Sequence, residues 1–230
     1  LRIVDNTGLY DLLNKCDSVS CIFCLDDKQI SPKLNKYFSM NAVLFMIDCL
    51  TELKSKINLS VIAGNPAEIV EKLIVKYKFD VVGFNEDYTP YARKRDAAIS
   101  KMVERMKKVC AIYPDVCLNE PRNIKPYKVF TPYYDVASRI KVAIPVKKNT
   151  DKIVKLNEKE VDLTKFKKTI IKMCIDNGVT VNAVQKGGRT EAIKCIKKFI
   201  PKCSNYSKNR DLFTNETSRL SPHLKFGTVS

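Results

Sequence analysis

Over its first 140 residues the chain alternates short, almost unbroken apolar runs with longer amphipathic stretches, and few folds satisfy that alternation. Ser18 to Leu25, Leu59-Ser-Val-Ile-Ala63 and Asp80-Val-Val-Gly-Phe84 are too short for buried helices and read as strands. Between them, Met40 to Leu53 repeats apolar residues at Val43, Leu44, Ile47, Leu50 and Leu53, a helical period. Gly64-Asn65-Pro66 punctuates the second strand, with Asn65 placed to cap a helix over Ala67 to Tyr77 and Pro66 at its first position. Pro90 to Lys108 is a long charged helix, and Val109 to Tyr113 with Val116 to Leu118 suggests a further strand pair. Strands apolar on both faces and joined by helices call for a parallel sheet covered on both sides, a doubly wound α/β domain. Ligands of such sheets bind beyond the carboxyl ends of the strands. No G-x-G-x-x-G follows any strand, so a dinucleotide site of the NAD kind is not supported.

The pattern changes after residue 140. Lys147-Lys-Asn-Thr-Asp-Lys152 is polar and aperiodic, and reads as an exposed linker. From Thr164 onward the period is helical, and Thr190 to Phe199 places Ala192, Ile193, Ile196 and Phe199 on one face with lysines on the other. Gly187-Gly188 ends one element and starts the next. The expected organisation is an α/β domain over 1–140, a linker over 141–165 and a helical segment over 166–230.

At 230 residues, 45% apolar and 29% charged, the composition is globular, with room for one large or two small domains. No apolar run approaches the roughly 20 residues that span a bilayer, and no secretory pattern opens the chain. The nine cysteines are odd in number and scattered, which fits reduced core residues in an intracellular reducing compartment, cytoplasm or nucleus. Cys21-x-x-Cys24 lies within a strand, where residues three apart face opposite ways, and His223 is the only histidine, so no metal site is expected. The net charge of +16 suits a polyanionic partner. Lysine, asparagine and isoleucine are also what AT-rich coding produces, so charge alone leaves the partner open. The chain lacks an initiator Met and starts and stops in mid-element, which reads as a piece of a longer polypeptide.

Chemistry concentrates near the C-terminus, in Tyr206-Ser-Lys-Asn-Arg210-Asp211 and Thr217-Ser-Arg-Leu-Ser-Pro-His-Leu-Lys-Phe-Gly227. Thr217, Ser218 and Ser221 supply hydroxyls beside the cationic Arg219, the groups that hold a pyrophosphate by charge-assisted hydrogen bonds and exposed amides. Pro222 is placed to open a helix whose N-terminus would favour an anion. The plainer alternative is a capped helix start. Arg93, Arg95 and Asp96 read as a solvated charged helix face. Tyr127, Phe130, Tyr133 and Tyr134 read as core and linker packing, with a base-stacking platform as the alternative.

Several separated segments agree in order with one family. Leu1-Arg-Ile-Val-Asp-Asn6, Gly64-Asn-Pro66, Asn85-Glu-Asp-Tyr-Thr-Pro-Tyr-Ala-Arg-Lys-Arg-Asp96, Lys125-Pro-Tyr-Lys-Val-Phe-Thr-Pro-Tyr133, Gly187-Gly188 and the Tyr206–Gly227 stretch together resemble the DNA photolyase/cryptochrome family, class I-like, over essentially the whole chain. The resemblance implies light-driven, FAD-dependent repair of UV-linked pyrimidines in DNA, or cryptochrome-type light signalling without repair. An inactive photolyase remnant is the further alternative. By this resemblance Tyr206, Thr217, Ser218, Arg219, Leu220 and Ser221 contact FAD, and Arg210 lies close to DNA phosphate, with a salt bridge to Asp211 as its other reading. It places no catalytic residue in this segment. The family's adenine pocket, its Asp or Asn near the flavin and most of its DNA contacts belong to the later part of a helical flavin domain, and its innermost strand precedes Leu1. The implied partners are UV-damaged DNA and that remaining part of the flavin domain, in a molecule monomeric when complete and with no membrane association. Family members that hold a folate antenna carry Asn-Glu where this chain has Tyr91-Ala92, which argues against folate and leaves a deazaflavin, a second flavin or no antenna.

Overall fold

The computed structural model describes residues 1–146, 150–178, 185–212 and 217–230; Lys147, Lys148 and Asn149 of the expected linker lie outside the described residues. The elements run α1 (Thr7–Lys15), β1 (Cys21–Leu25), α2 (Asp27–Ile30), α3 (Met40–Lys54), β2 (Leu59–Ala63), α4 (Pro66–Tyr77), β3 (Val81–Asn85), α5 (Pro90–Arg105) and β4 (Val109–Tyr113). They continue with α6 (Phe130–Ala137), α7 (Leu163–Asp176), α8 (Arg189–Phe199), a 3-10 turn over Ile200–Asn205, α9 (Tyr206–Asn209) and α10 (Ser221–Lys225). The architecture is α/β with parallel strands, and the described residues from Leu163 onward form helices and turns. Two compact units divide the chain. The first holds Leu1–Ile3, Ser18–Asn65 and Thr150–Ser230, and the second Val4–Asp17 and Pro66–Asn149.

In the first unit β1 and β2 pair in parallel, from Cys21 opposite Leu59 to Leu25 opposite Ala63. The strand expected from Ser18 starts at Cys21, because Val19 is engaged separately, in a parallel bridge to Ile153. Burial pushes the Cys21 thiol up to about 11, so it sits in β1 as a protonated, apolar side chain. Helix α3 is the spine of this unit. Val43, Leu44, Ile47 and Leu50 form one core with Leu25, Leu59 and Val61 of the strands and with Leu163, Ile170 and Cys174 of α7. Polar clamps border that core: Lys167 donates to Asp48 at 2.6 Å, and Glu160 receives Lys54 and the Ser60 hydroxyl.

In the second unit β3 and β4 pair in parallel, from Val81 opposite Val109 to Asn85 opposite Tyr113. Helices α4 and α5 pack together and bury Ile69, Val70, Leu73 and Ile74 with Ile99, Met102 and Val103. Helix α1 packs on the strand pair, capped by the Asn6 side chain, which accepts from the Leu9 N–H at 3.1 Å. Gly83 lets α1 approach, since a Cβ there would lie 2.6 Å from a Leu12 methyl.

Four expectations need correction. Val116 to Leu118 is not a strand: Pro114 precedes it, and Val116 and Leu118 stand exposed without a paired neighbour. The long helix from Pro90 ends at Arg105, and Lys107 then turns the chain toward β4 with a φ of 56°. Asp96 is buried rather than solvated, because it faces the unit's interior and takes Arg95 Nη2 at 2.6 Å. Phe130 and Tyr134 are not core. They are 72% and 56% exposed on α6 and stack on each other at 5.9 Å, because only Ala137 of that helix is buried.

Candidate functional site

The residues that carry the chemical expectation lie in the first unit, on a frame that starts at α3. After α7 the chain returns to α3 at Gly187 and Gly188. The Gly188 N–H donates to Cys49 Sγ at 3.2 Å, and the Gly187 N–H to Asp48 Oδ2 at 3.4 Å. Glu52 of α3 then caps α8: its carboxylate accepts the Thr190 N–H at 3.1 Å and the Thr190 hydroxyl at 2.8 Å. A carboxylate at a helix start meets unpaired N–H groups and the positive end of the macrodipole. On the same frame, Phe45 meets the His223 ring edge-on at 5.0 Å and Phe226 at 5.2 Å, which seats α10.

A small cavity of about 120 Å³ opens between α8 with its following turn and the segment before α10. Thr217, Ser218 and Arg219 line one side; Cys195, Lys198, Phe199 and Lys202 line the other. Arg219 has a φ of 51°, the left-handed region, and Leu220 follows in the right-handed helical region. Successive left- and right-handed residues aim neighbouring N–H groups into one concavity, an arrangement that suits anions. The Gln185 side-chain amide holds the turn by donating to the Arg219 carbonyl oxygen. The site therefore offers two hydroxyls, three cationic side chains and turned backbone amides. That donor set fits the phosphate end of a dinucleotide.

Three of the six expected contact residues, Thr217, Ser218 and Arg219, are brought together here. Tyr206 reaches the wall indirectly, its ring edge-on to Phe199 at 5.4 Å. Leu220 and Ser221 do not line the cavity; the Leu220 N–H turns back to Ser218 Oγ at 3.4 Å, and Ser221 begins α10. The anticipated anion site at that helix start loses its basis, because α10 has five residues, too few to align a useful dipole. Arg210 stands 3.6 Å from Asp211, both well exposed, an ion pair worth little in water. Sequence reasoning missed Lys198 and Lys202, although their spacing from Cys195 (three, then four residues) is that of one helix face. It also missed an open concavity of about 560 Å³ in the second unit, lined by Arg122, Lys125, Tyr127 and Tyr133 among others.

The family model described as DNA photolyase matches residues 1–151. The chain belongs to the DNA photolyase family. It is 25% identical to cryptochrome-1 of Sylvia borin, covering all of this chain and 40% of that protein. It is 28% identical to the deoxyribodipyrimidine photo-lyase of Alkalihalophilus pseudofirmus, covering all of this chain and 50% of that one. Among solved structures, an archaeal photolyase from Sulfolobus tokodaii with two FAD molecules superposes with a TM-score of 0.77 at 30% identity, over all of this chain and 50% of that one. A Synechocystis cryptochrome superposes with a TM-score of 0.82 at 14% identity, which shows the shared fold. This photolyase-family chain thus spans about half the length of the relatives it matches, or less.

One feature of the site titrates. His223 is fully buried, and its Nδ1 lies 3.0 Å from Thr228 Oγ1, which in turn donates to the His223 carbonyl at 3.3 Å. That chain of bonds assigns the proton to Nδ1 and leaves Nε2 bare, with no hydrogen-bond partner among the described residues. Burial holds the imidazole below its ordinary value of 6.5, with Glu191 and Glu52 offsetting part of the effect. A depressed histidine leaves the unfolded chain binding more protons, so stability falls as pH drops through 6.5 and levels off below the folded value. The first unit is expected to lose up to about 1.4 kcal/mol per pH unit in that window. Thermal melts at pH 7.5 and 5.5 measure it, and the gap narrows in His223→Phe; an unchanged gap in the variant would assign the pH effect elsewhere.

Proposed function

We propose that this chain forms the front part of a light-driven, FAD-dependent photolyase that repairs UV-linked pyrimidines in DNA. The observation that carries the reading is the cavity that joins Thr217, Ser218 and Arg219 to two lysines. The hydroxyls of Thr217 and Ser218 donate hydrogen bonds to phosphate oxygens, Arg219 supplies charge, and Tyr206 steadies the wall through Phe199. FAD, when bound and reduced, supplies light absorption and one-electron transfer; the protein's part is to bind, orient and shield it. In this reading residues 1–140 are the α/β antenna domain, 141–165 the linker and 166–230 the start of the flavin domain. Arg210 contacts DNA phosphate, and the net charge of +16 supports a polyanionic partner. The Sulfolobus relative with two FAD molecules favours a flavin antenna over a folate, in keeping with Tyr91-Ala92.

The second reading is a cryptochrome-type photoreceptor, favoured by the cryptochrome-1 relatives. A light-dependent repair assay on the full-length protein that carries this chain separates the two. Bound FAD with loss of pyrimidine dimers only under light is the expected result, and Ser218→Ala lowers FAD occupancy about tenfold at limiting cofactor. Bound flavin with no repair under light assigns the photoreceptor role. No bound flavin overturns both.

A further inference from the structure

We propose that Lys198 and Lys202 clamp the ligand's pyrophosphate from the side opposite Thr217, Ser218 and Arg219. The inference rests on the flavin-dinucleotide reading above and extends it to residues that no motif of the chain marks. Helix α8 presents Cys195 and Lys198 toward the cavity, and the 3-10 turn that continues it adds Lys202, three and four residues further on. Lys194 belongs to a different face and is engaged by Glu191 at 2.8 Å. Lys197 does not line the cavity, although it is equally exposed. The clamp is therefore selective within a lysine-rich segment, which a general basic surface would not be.

The chemistry fits two linked phosphates. Arg219 presents a planar fork and the lysines are compact point charges, so together they can neutralise a doubly charged pyrophosphate from two directions. The about 120 Å³ of the cavity matches a phosphate group and leaves no room for a stacked base. The occupant is thus the diphosphate of a dinucleotide, with its ring systems outside the cavity. The position of the clamp is fixed from behind. Glu52 and Gly188 hold the start of α8 to α3, and Phe199 packs against Tyr206, so both lysines project from a supported helix end.

The test is calorimetric titration of the 230-residue chain with inorganic pyrophosphate, with circular dichroism to confirm folding. Lys198→Gln/Lys202→Gln is expected to weaken binding about tenfold or more, Lys198→Arg/Lys202→Arg to retain most of it, and Lys197→Gln to leave it unchanged. If the glutamine pair binds as the parent does while Thr217→Ala/Ser218→Ala weakens binding, the clamp is wrong and the phosphate reading survives. If neither pair changes binding, or the parent binds no pyrophosphate, both fall. A single-stranded oligonucleotide at matched phosphate concentration serves as the competing anion. If it displaces pyrophosphate and depends on the same lysines more strongly, the cations belong to a nucleic-acid path, and the clamp is overturned.

Discussion

Gly187→Val is expected to destabilise the first unit by about 3 kcal/mol or more, a fall of roughly 10 °C in its thermal midpoint. The reason is contact, not conformational freedom. A Cβ on Gly187 would press into the Phe45 carbonyl oxygen, with Cys49 Sγ at 2.9 Å and Asp48 Cβ at 3.0 Å behind it. A backbone oxygen inside a helix cannot move aside as a side chain can. The neighbouring Gly188→Ala adds a different strain, since Gly188 holds a φ of 110°, where an L side chain costs about 1–3 kcal/mol. Scanning calorimetry on the two variants separates the causes. Shortening the α3 side chain by Asp48→Ala should relieve little of the Gly187→Val loss, because the Phe45 carbonyl remains. A substantial rescue would place the clash on the side chain instead.

Leu50→Ala is expected to cost about 2–5 kcal/mol, with a reduced folded baseline at room temperature. Leu50 is fully buried at the centre of α3, with strands on one side and α7 on the other, so its removal leaves a cavity that neither layer can close alone. Leu34 is 64% exposed, and Leu34→Ala should stay within about 0.5 kcal/mol. Urea unfolding of both gives the comparison; near-equal midpoints would remove α3 from its place as the spine. Because α3 also seats Gly187, Gly188, His223 and Phe226, Leu50→Ala should weaken pyrophosphate binding along with stability, although it lies in the core.

Much of this was legible in the residues. β2 and β4 match their apolar runs end for end, and α4, α7 and α8 begin within one residue of the positions that period and punctuation indicate. Local patterns sufficed because each of these segments buries one face. Two helices escaped. α1 carries Gly8 in its first turn and buries only Tyr10 and Leu13 beside it, too few for a visible period. α6 contains Pro132 in its first turn and buries only Ala137, so its aromatics suggested packing that does not occur. The hydroxyls and Arg219 of the candidate site announced themselves by type, whereas Lys198 and Lys202 looked like any solvated helix face. Nor could Phe45, Asp48, Cys49 and Glu52 reveal their partners some 140 residues on, because a long-range contact leaves no local mark.

The interrupted order of the first unit shapes how the molecule is made. Ser18–Asn65 leaves the ribosome long before Thr150–Ser230, with all of Pro66–Asn149 synthesised in between. β1 and β2 can pair early, but the face of α3 that bears Val43, Ile47 and Leu50 stays bare until α7 emerges. At translation rates of about 5–20 residues per second that wait lasts roughly 5–20 seconds. The second unit has its elements in hand by the time β4 is synthesised and can close during the delay. Each nascent chain therefore passes through a state with one finished unit and one open apolar groove, and this is the interval in which a holding chaperone has its substrate.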